Sequence, residues 1–218
     1  MSLCPNERLI VASELSASVV AHNVAQRAAF TGGTENGVRN FDTLRTAIAV
    51  CVSCNCAMPA LLLIYAGIDI AGALYAPGTE YRATGDKFKA WVSQFMVAKL
   101  GKAVTADELW GARCGVVHVY GPSSNHPLAS GAPQRKISYV TFTSEKEKWA
   151  QTMQELEKVN NGQPVAPNSF VLSVQELAAA FDAGWNEMLS EVQKDAARLA
   201  TFEAHCDEQF ENMRLPAL

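Results

Sequence analysis

Arg113 and His118 stand five positions apart in Leu109-Trp-Gly-Ala-Arg113-Cys-Gly-Val-Val-His118, and together these side chains suit phosphodiester cleavage without a metal. An imidazole titrates near neutrality and can take a proton from a 2′-hydroxyl or give one to a leaving oxygen. A guanidinium keeps its charge and offers a planar fork of donors to a phosphate as negative charge builds there. Five residues at 100° each set the two side chains about 140° apart on a straight helix, so one copy does not aim both at one point. Gly115 can relax that geometry, and a second copy of the helix can supply the missing partner. The same pair also fits a structural role, with Arg113 neutralised by an acid and His118 at a helix C-terminus, where the dipole favours its cation.

Other residues bear on the same chemistry. Asp69 can orient Arg113 or His118, or compensate a buried arginine. Tyr120 can stack on a base or pack beneath a helix end. Arg82, Lys87 and Lys89 offer a basic rim for nucleic acid or an ordinary solvated face. Cys51, Cys54 and Cys56 crowd three thiols into six residues, but no second Cys/His pair stands at ligand spacing. The expectation there is buried thiols in a small-residue helix rather than a metal site. No cofactor is called for, since no Gly-rich phosphate loop, G-x-S-x-G or H-E-x-x-H occurs.

The elements that must position these residues are mostly helical. The chain has 218 residues, of which 49% are apolar and 18% charged, enough to bury a core and too apolar for disorder. A helix is expected over about 7–30, then a polar, Gly-rich loop to Asn40. A long apolar helix follows from Phe41 to Tyr75, kinked or broken at Pro59 and closed by Ala76-Pro-Gly78. Gly67, Ala71, Gly72 and Ala73 make part of it narrow enough for another helix to approach closely. A shorter helix over 86–99 offers Phe88, Trp91, Val92, Phe95 and Met96 to the core. Thr105 and Glu108 form a capping box that starts the helix bearing Arg113 and His118.

Further boxes at Ser144…Glu147 and Ser173…Glu176 start a helix to Val159 and a long final helix. The final helix keeps Leu177, Phe181, Trp185, Met188, Val192, Leu199, Phe202, Cys206 and Phe210 on one face for about 50 Å. Ile137–Phe142 and Phe170–Val174 read as two short strands that can pair across the intervening helix. The predicted organisation is one domain over 1–218: an N-terminal helix and loop (1–40), core helices (41–121), then a loop, a hairpin-like β element and the C-terminal helix (122–218). The fold class is mainly α, an up-and-down helical bundle with a small two-strand β element in the C-terminal half.

Gly67-Ile-Asp69-Ile-Ala-Gly-Ala-Leu-Tyr75, Gly85-Asp-Lys-Phe88-Lys-Ala-Trp-Val-Ser-Gln-Phe95 and the Arg113-x4-His118 segment resemble, in order and spacing over residues 61–120, the HEPN superfamily (higher eukaryotes and prokaryotes nucleotide-binding domains). The likeness is greatest to its small stand-alone prokaryotic members. The resemblance implies an all-α bundle of four or five helices, paired as a homodimer so that two Arg/His segments face each other across a cleft. In catalytic relatives that cleft is a metal-independent ribonuclease site, and Arg113 and His118 match its motif. Relatives often place a polar residue directly after the arginine, and here it is Cys114, which leaves two functions open. One is an endoribonuclease, with a toxin or defence role among its settings; the other is a non-catalytic module that binds RNA, a nucleotide or a cognate protein.

Charge and apolar length bear on partners. The balances over 1–60, 61–143 and 144–218 are 0, +3 and −7, for a net −4, so an anion site belongs in the middle segment and the last third is an acidic surface. The apolar stripe of the final helix is more than a small bundle readily covers, which argues for a homodimer. Thr46–Ile68 carries no charge over a length that can span a bilayer, but Ser53, Asn55 and Pro59 within it favour a buried central helix over a membrane segment. With no secretory leader pattern at the N-terminus, a reducing, cytoplasmic setting is expected.

Overall fold

The computed structural model describes residues 33–101, 104–119, 136–159 and 169–210. Among them the fold is mainly helical, with α1 (Gly33–Ser53), α2 (Ala57–Tyr75), α3 (Gly85–Phe95), α4 (Ala106–Val119), β1 (Lys136–Val140), α5 (Thr143–Val159), β2 (Ser169–Ser173), α6 (Val174–Lys194) and α7 (Ala196–Phe210). The helix expected over 7–30 lies outside the described residues.

α2 is the hub. It packs against α1, α3, α4, α6 and α7, and its Ala60, Leu61, Ile64, Tyr65, Ile68, Ala71 and Leu74 are buried. The small residues read from the sequence permit this. A Cβ on Gly67 would lie 2.5 Å from Phe181 Cζ on α6, and one on Gly72 would lie 2.8 Å from the Lys87 carbonyl on α3. Such contacts exclude any side chain, so two neighbours come closer than alanine would allow. Among the described residues α2 is also the helix long and apolar enough to cross a membrane, but about half of that stretch (56%) is buried within the fold.

Several boundaries differ from expectation. The loop expected to reach Asn40 is already helical from Gly33, because Val38 and Phe41 are core residues and Gly37 closes against Cys206. The helix expected to run from Phe41 to Tyr75 breaks at Cys54–Cys56 rather than at Pro59. Asn55 takes a left-handed φ of 59°, and the N–H groups of Cys56 and Asn55 return to the carbonyls of Cys51 (2.8 Å) and Val52 (3.0 Å), a Schellman ending. Pro59 sits in the first turn of α2, where a helix needs no N–H. Cys54 and Cys56 are therefore exposed in a turn and Cys51 half-buried, a correction to the expected buried thiols.

The two strands pair, but in parallel, Lys136 opposite Ser169 through Val140 opposite Ser173. α5 forms the crossover, so the element is a βαβ unit and not hairpin-like. α5 does not start on a Ser144…Glu147 box. It begins at Thr143, and Glu145 accepts from the N–H groups of Thr141 (2.9 Å) and Phe142 (3.1 Å). The boxes at Thr105/Glu108 and Ser173/Glu176 form as read.

The expected single final helix is two. Asp195 leaves the helical region (φ −124°, ψ 109°) and caps α7, accepting from Ala197 N at 2.9 Å and Arg198 N at 3.2 Å. The break folds α7 back onto α1 and α2. Leu177, Phe181, Trp185, Met188, Val192, Phe202, Cys206 and Phe210 are buried within the chain and Leu199 packs half-buried against the same core, with Trp185 stacking on Phe41 at 3.6 Å. The stripe is thus covered without a second copy, and the argument for a dimer drawn from it fails.

Candidate functional site

α4 starts under strong local instruction, with Glu108 and Thr105 capping each other's N–H groups, and it packs against α2, α3 and β1. Leu109, Ala112 and Val116 form its core stripe. That registration turns Arg113 toward α2, where Asp69 lies one turn beyond the buried Tyr65. Arg113 Nε (3.0 Å) and Nη2 (2.6 Å) both donate to Asp69 Oδ2. The guanidinium also lies 5.1 Å from the centre of the Trp110 ring, in cation–π range. Both charged side chains are only partly buried, at 17% and 13% exposure. Asp69 therefore meets Arg113 and fixes the plane of its fork.

The other residues read from the sequence fall as follows. His118 lies on the last turn of α4, but its side chain, like the whole of Tyr120, is outside the described residues. Cys114 is buried beside Arg113. Burial raises its thiol above the ordinary value, partly opposed by the Arg113 charge and hydrogen bond. Arg82 is exposed in the turn before α3. Lys87 donates to the Glu80 carbonyl at 2.8 Å, and Lys89 pairs with Asp86 (3.4 Å) and Asp107 (3.5 Å). Two of the three basic residues are thus engaged locally and do not converge on Arg113.

Sequence reasoning missed several residues around the pair. Trp110, three residues before Arg113 and so on the same face, wedges against Gly85 and Phe88. Its spacing was the available signal. Tyr65 and Tyr139 join hydroxyl to hydroxyl one turn from Asp69; burial, first of all, holds both phenols protonated well above their usual range. Tyr81 is held protonated likewise by burial, then by Cys206, Glu208 and Asp69. His205 is buried, with Nδ1 3.1 Å from the Leu74 carbonyl and Nε2 3.0 Å from the Gly78 carbonyl. Its contacts to these two carbonyls tie α7 to the end of α2. A groove of about 720 Å³ runs past Tyr75, Lys87, Trp91 and Arg198, but neither Arg113 nor Asp69 lines it.

A second arginine site lies between α1 and α6. Arg45 donates to Asp182 (2.7 Å), Asp42 (3.1 Å) and Asn186 (3.0 Å). Comparison of the chain with protein-family models, with curated proteins and with solved structures found no match.

Proposed function

We propose that the protein is a HEPN-like, metal-independent endoribonuclease in which Arg113 binds the scissile phosphate and His118 transfers the proton. The observation that carries this is the seating of Arg113. Its guanidinium plane is fixed by Asp69 Oδ2 and the Trp110 ring while part of the side chain still meets solvent. An oriented, partly solvated cation is what phosphate stabilisation requires, because the cost of ordering it is met before substrate arrives. His118 follows on the same helix, and pairing of two copies would bring two histidines, one as base and one as acid.

Two observations favour the second reading, a HEPN-like module that binds RNA, a nucleotide or a protein without cutting. The Asp69 carboxylate offsets the Arg113 charge locally, which weakens attraction for a phosphate dianion more than for a diester or a protein contact. The buried Cys114, where relatives often carry a polar group, points the same way.

Cleavage of end-labelled single-stranded RNA in EDTA separates the two. For the enzyme, wild-type protein leaves 2′,3′-cyclic phosphate ends, and His118→Ala lowers the rate by about 10²–10⁴-fold. Equal rates in both proteins would identify a contaminant. Absence of cleavage by wild type across unrelated RNAs, with retained binding that Arg113→Ala abolishes, would establish the module instead. Sedimentation at micromolar concentration tests the pairing, which a monomer would refute.

A further inference from the structure

The turn between α1 and α2 gathers three thiols that the proposed RNA chemistry does not use. Its backbone is a Schellman ending in which Cys51 is the third residue from the cap and Cys56 lies just beyond the left-handed Asn55. In this motif those two positions are side-by-side neighbours, ordinarily filled by an apolar pair. Here both are cysteine.

The geometry sets a bound on their separation. The Cys56 N–H to Cys51 carbonyl bond of 2.8 Å, added to standard backbone bonds, keeps the two Cα atoms no more than about 7 Å apart, and less because the path bends. That is within the range a disulfide bridges. Cys51 and Cys54 are a poorer pair. Cys54 still donates helically to Val50 at 2.9 Å, and residues three apart on a helix hold their Cβ atoms about 5–6 Å apart, too far for a disulfide without unwinding.

Exposure divides the roles. Cys56 is open to solvent, its thiol making only a 3.7 Å contact to the Cys54 carbonyl. Cys51 is half-buried, and burial, then Cys56 and Cys54, raise its thiol.

We propose that Cys51 and Cys56 are a redox-active dithiol which closes to an intramolecular disulfide by exchange with a low-molecular-weight disulfide such as oxidised glutathione. The Cys56 thiolate attacks one sulfur of oxidised glutathione and expels a glutathione thiolate. The Cys51 thiolate then displaces the second glutathione from Cys56. Two protein thiols give up two protons and two electrons, and one glutathione disulfide becomes two thiols. The closed ring spans the Asn55 turn and pins the start of α2 to the end of α1. Reduced glutathione reverses both steps.

The test uses the full-length reduced protein, equilibrated with defined ratios of reduced to oxidised glutathione, quenched in acid, alkylated and mapped by mass spectrometry. The expected product is a peptide two hydrogens lighter with one alkyl group, on Cys54, that returns to three alkyl groups on reduction. Cys54→Ser forms the same bridge. Cys51→Ser, folded by circular dichroism, stops at a glutathione mixed disulfide on Cys56. A bridge between Cys54 and Cys56, a bridge to Cys4 or to a second chain, a lasting mixed disulfide in wild type, or full alkylation at every ratio would each overturn the proposal.

Discussion

Arg45 and Arg113 are both tied by aspartate across a helix contact, yet they are built for different ends. The Arg45 side chain is 2% exposed, and its fork reaches Asp182, Asp42 and Asn186 from different directions, joining α1 to α6. The Arg113 side chain is 17% exposed, sends two donors to one oxygen of Asp69 and lays its face by Trp110. A guanidinium whose donors are consumed in opposite directions is a staple, since nothing can approach it without breaking the helix contact. One seated on a carboxylate, an aromatic ring and the neighbouring Cys114 thiol keeps its orientation and still meets solvent. The difference teaches that burial of an ion pair and its usefulness to a ligand run in opposite directions.

The largest expected effect breaks or upholds that contrast directly. Arg45→Met removes the buried cation that meets Asp42 and Asp182 and should cost about 3–5 kcal/mol, the range for breaking a buried pair. Arg113→Met, with both partners partly solvated, should cost less than about 2 kcal/mol while removing whatever phosphate chemistry the protein has. Urea unfolding followed by circular dichroism gives both values. Equal losses would show that Arg113 is a second staple and remove the structural ground for placing it in a functional site.

A contrast of this kind was only half legible in the sequence. Capping boxes at Thr105 and Ser173 were readable because donor and acceptor lie three residues apart. The Arg45–Asp182 pair spans 137 positions, and nothing local announces it beyond Asp42-x2-Arg45 in a helix that also carries Glu35 and Arg39. Asp69 and Arg113 were singled out by resemblance and by the need to pair a buried charge, though 44 residues separate them. Apolar rows run on through both helix breaks, so the one at Asp195 has no signal in the pattern and the one at Cys54–Cys56 is expected only at the wrong place, Pro59. Asn55 ends α1 by taking a left-handed conformation, and Asp195 starts α7 by capping it, so each acts through its backbone preference rather than through the spacing of apolar residues. Pro59 drew attention to a break that lies three to five residues earlier, since proline is at home in a first turn.

The next effect comes from alkaline pH. Tyr65, Tyr139, Tyr81, Cys114 and Cys206 are all held protonated above their ordinary values, by burial first, and Tyr65, Tyr81 and Cys114 lie close to Asp69 or Arg113. Each is neutral when protonated, so the unfolded chain releases the proton at a lower pH than the folded one. Their contribution is therefore complete below the unfolded value and is lost as pH climbs toward the folded one. For Cys206, pushed from 9.0 up to about 12, the loss is roughly 1.4 kcal/mol per pH unit, or about 2 kcal/mol near pH 10.5. The urea midpoint should hold below about pH 8.5 and fall steadily above it. Cys206→Ala should flatten the fall, and Arg45→Met should leave its slope unchanged. A slope that follows Arg45 instead would relocate the sensitive groups to the α1–α6 contact.

The smallest effect tests how Trp110 serves Arg113. A ring 5.1 Å from a guanidinium that still meets solvent is worth about 0.5–1 kcal/mol, but Trp110→Leu alone also strips packing from Gly85 and Phe88. A double-mutant cycle with Arg113→Met removes that common loss, because the packing cost appears on both sides and cancels. The coupling energy should then come out near 0.5–1 kcal/mol. A value of zero would mean that the ring takes no part in setting the guanidinium plane and that Trp110 is only filler between α3 and α4. A coupling that vanishes when Asp69→Asn is added would mean that ring and carboxylate fix the plane jointly. That outcome would separate Arg113 most sharply from Arg45, whose fork is held by oxygen acceptors on two helices.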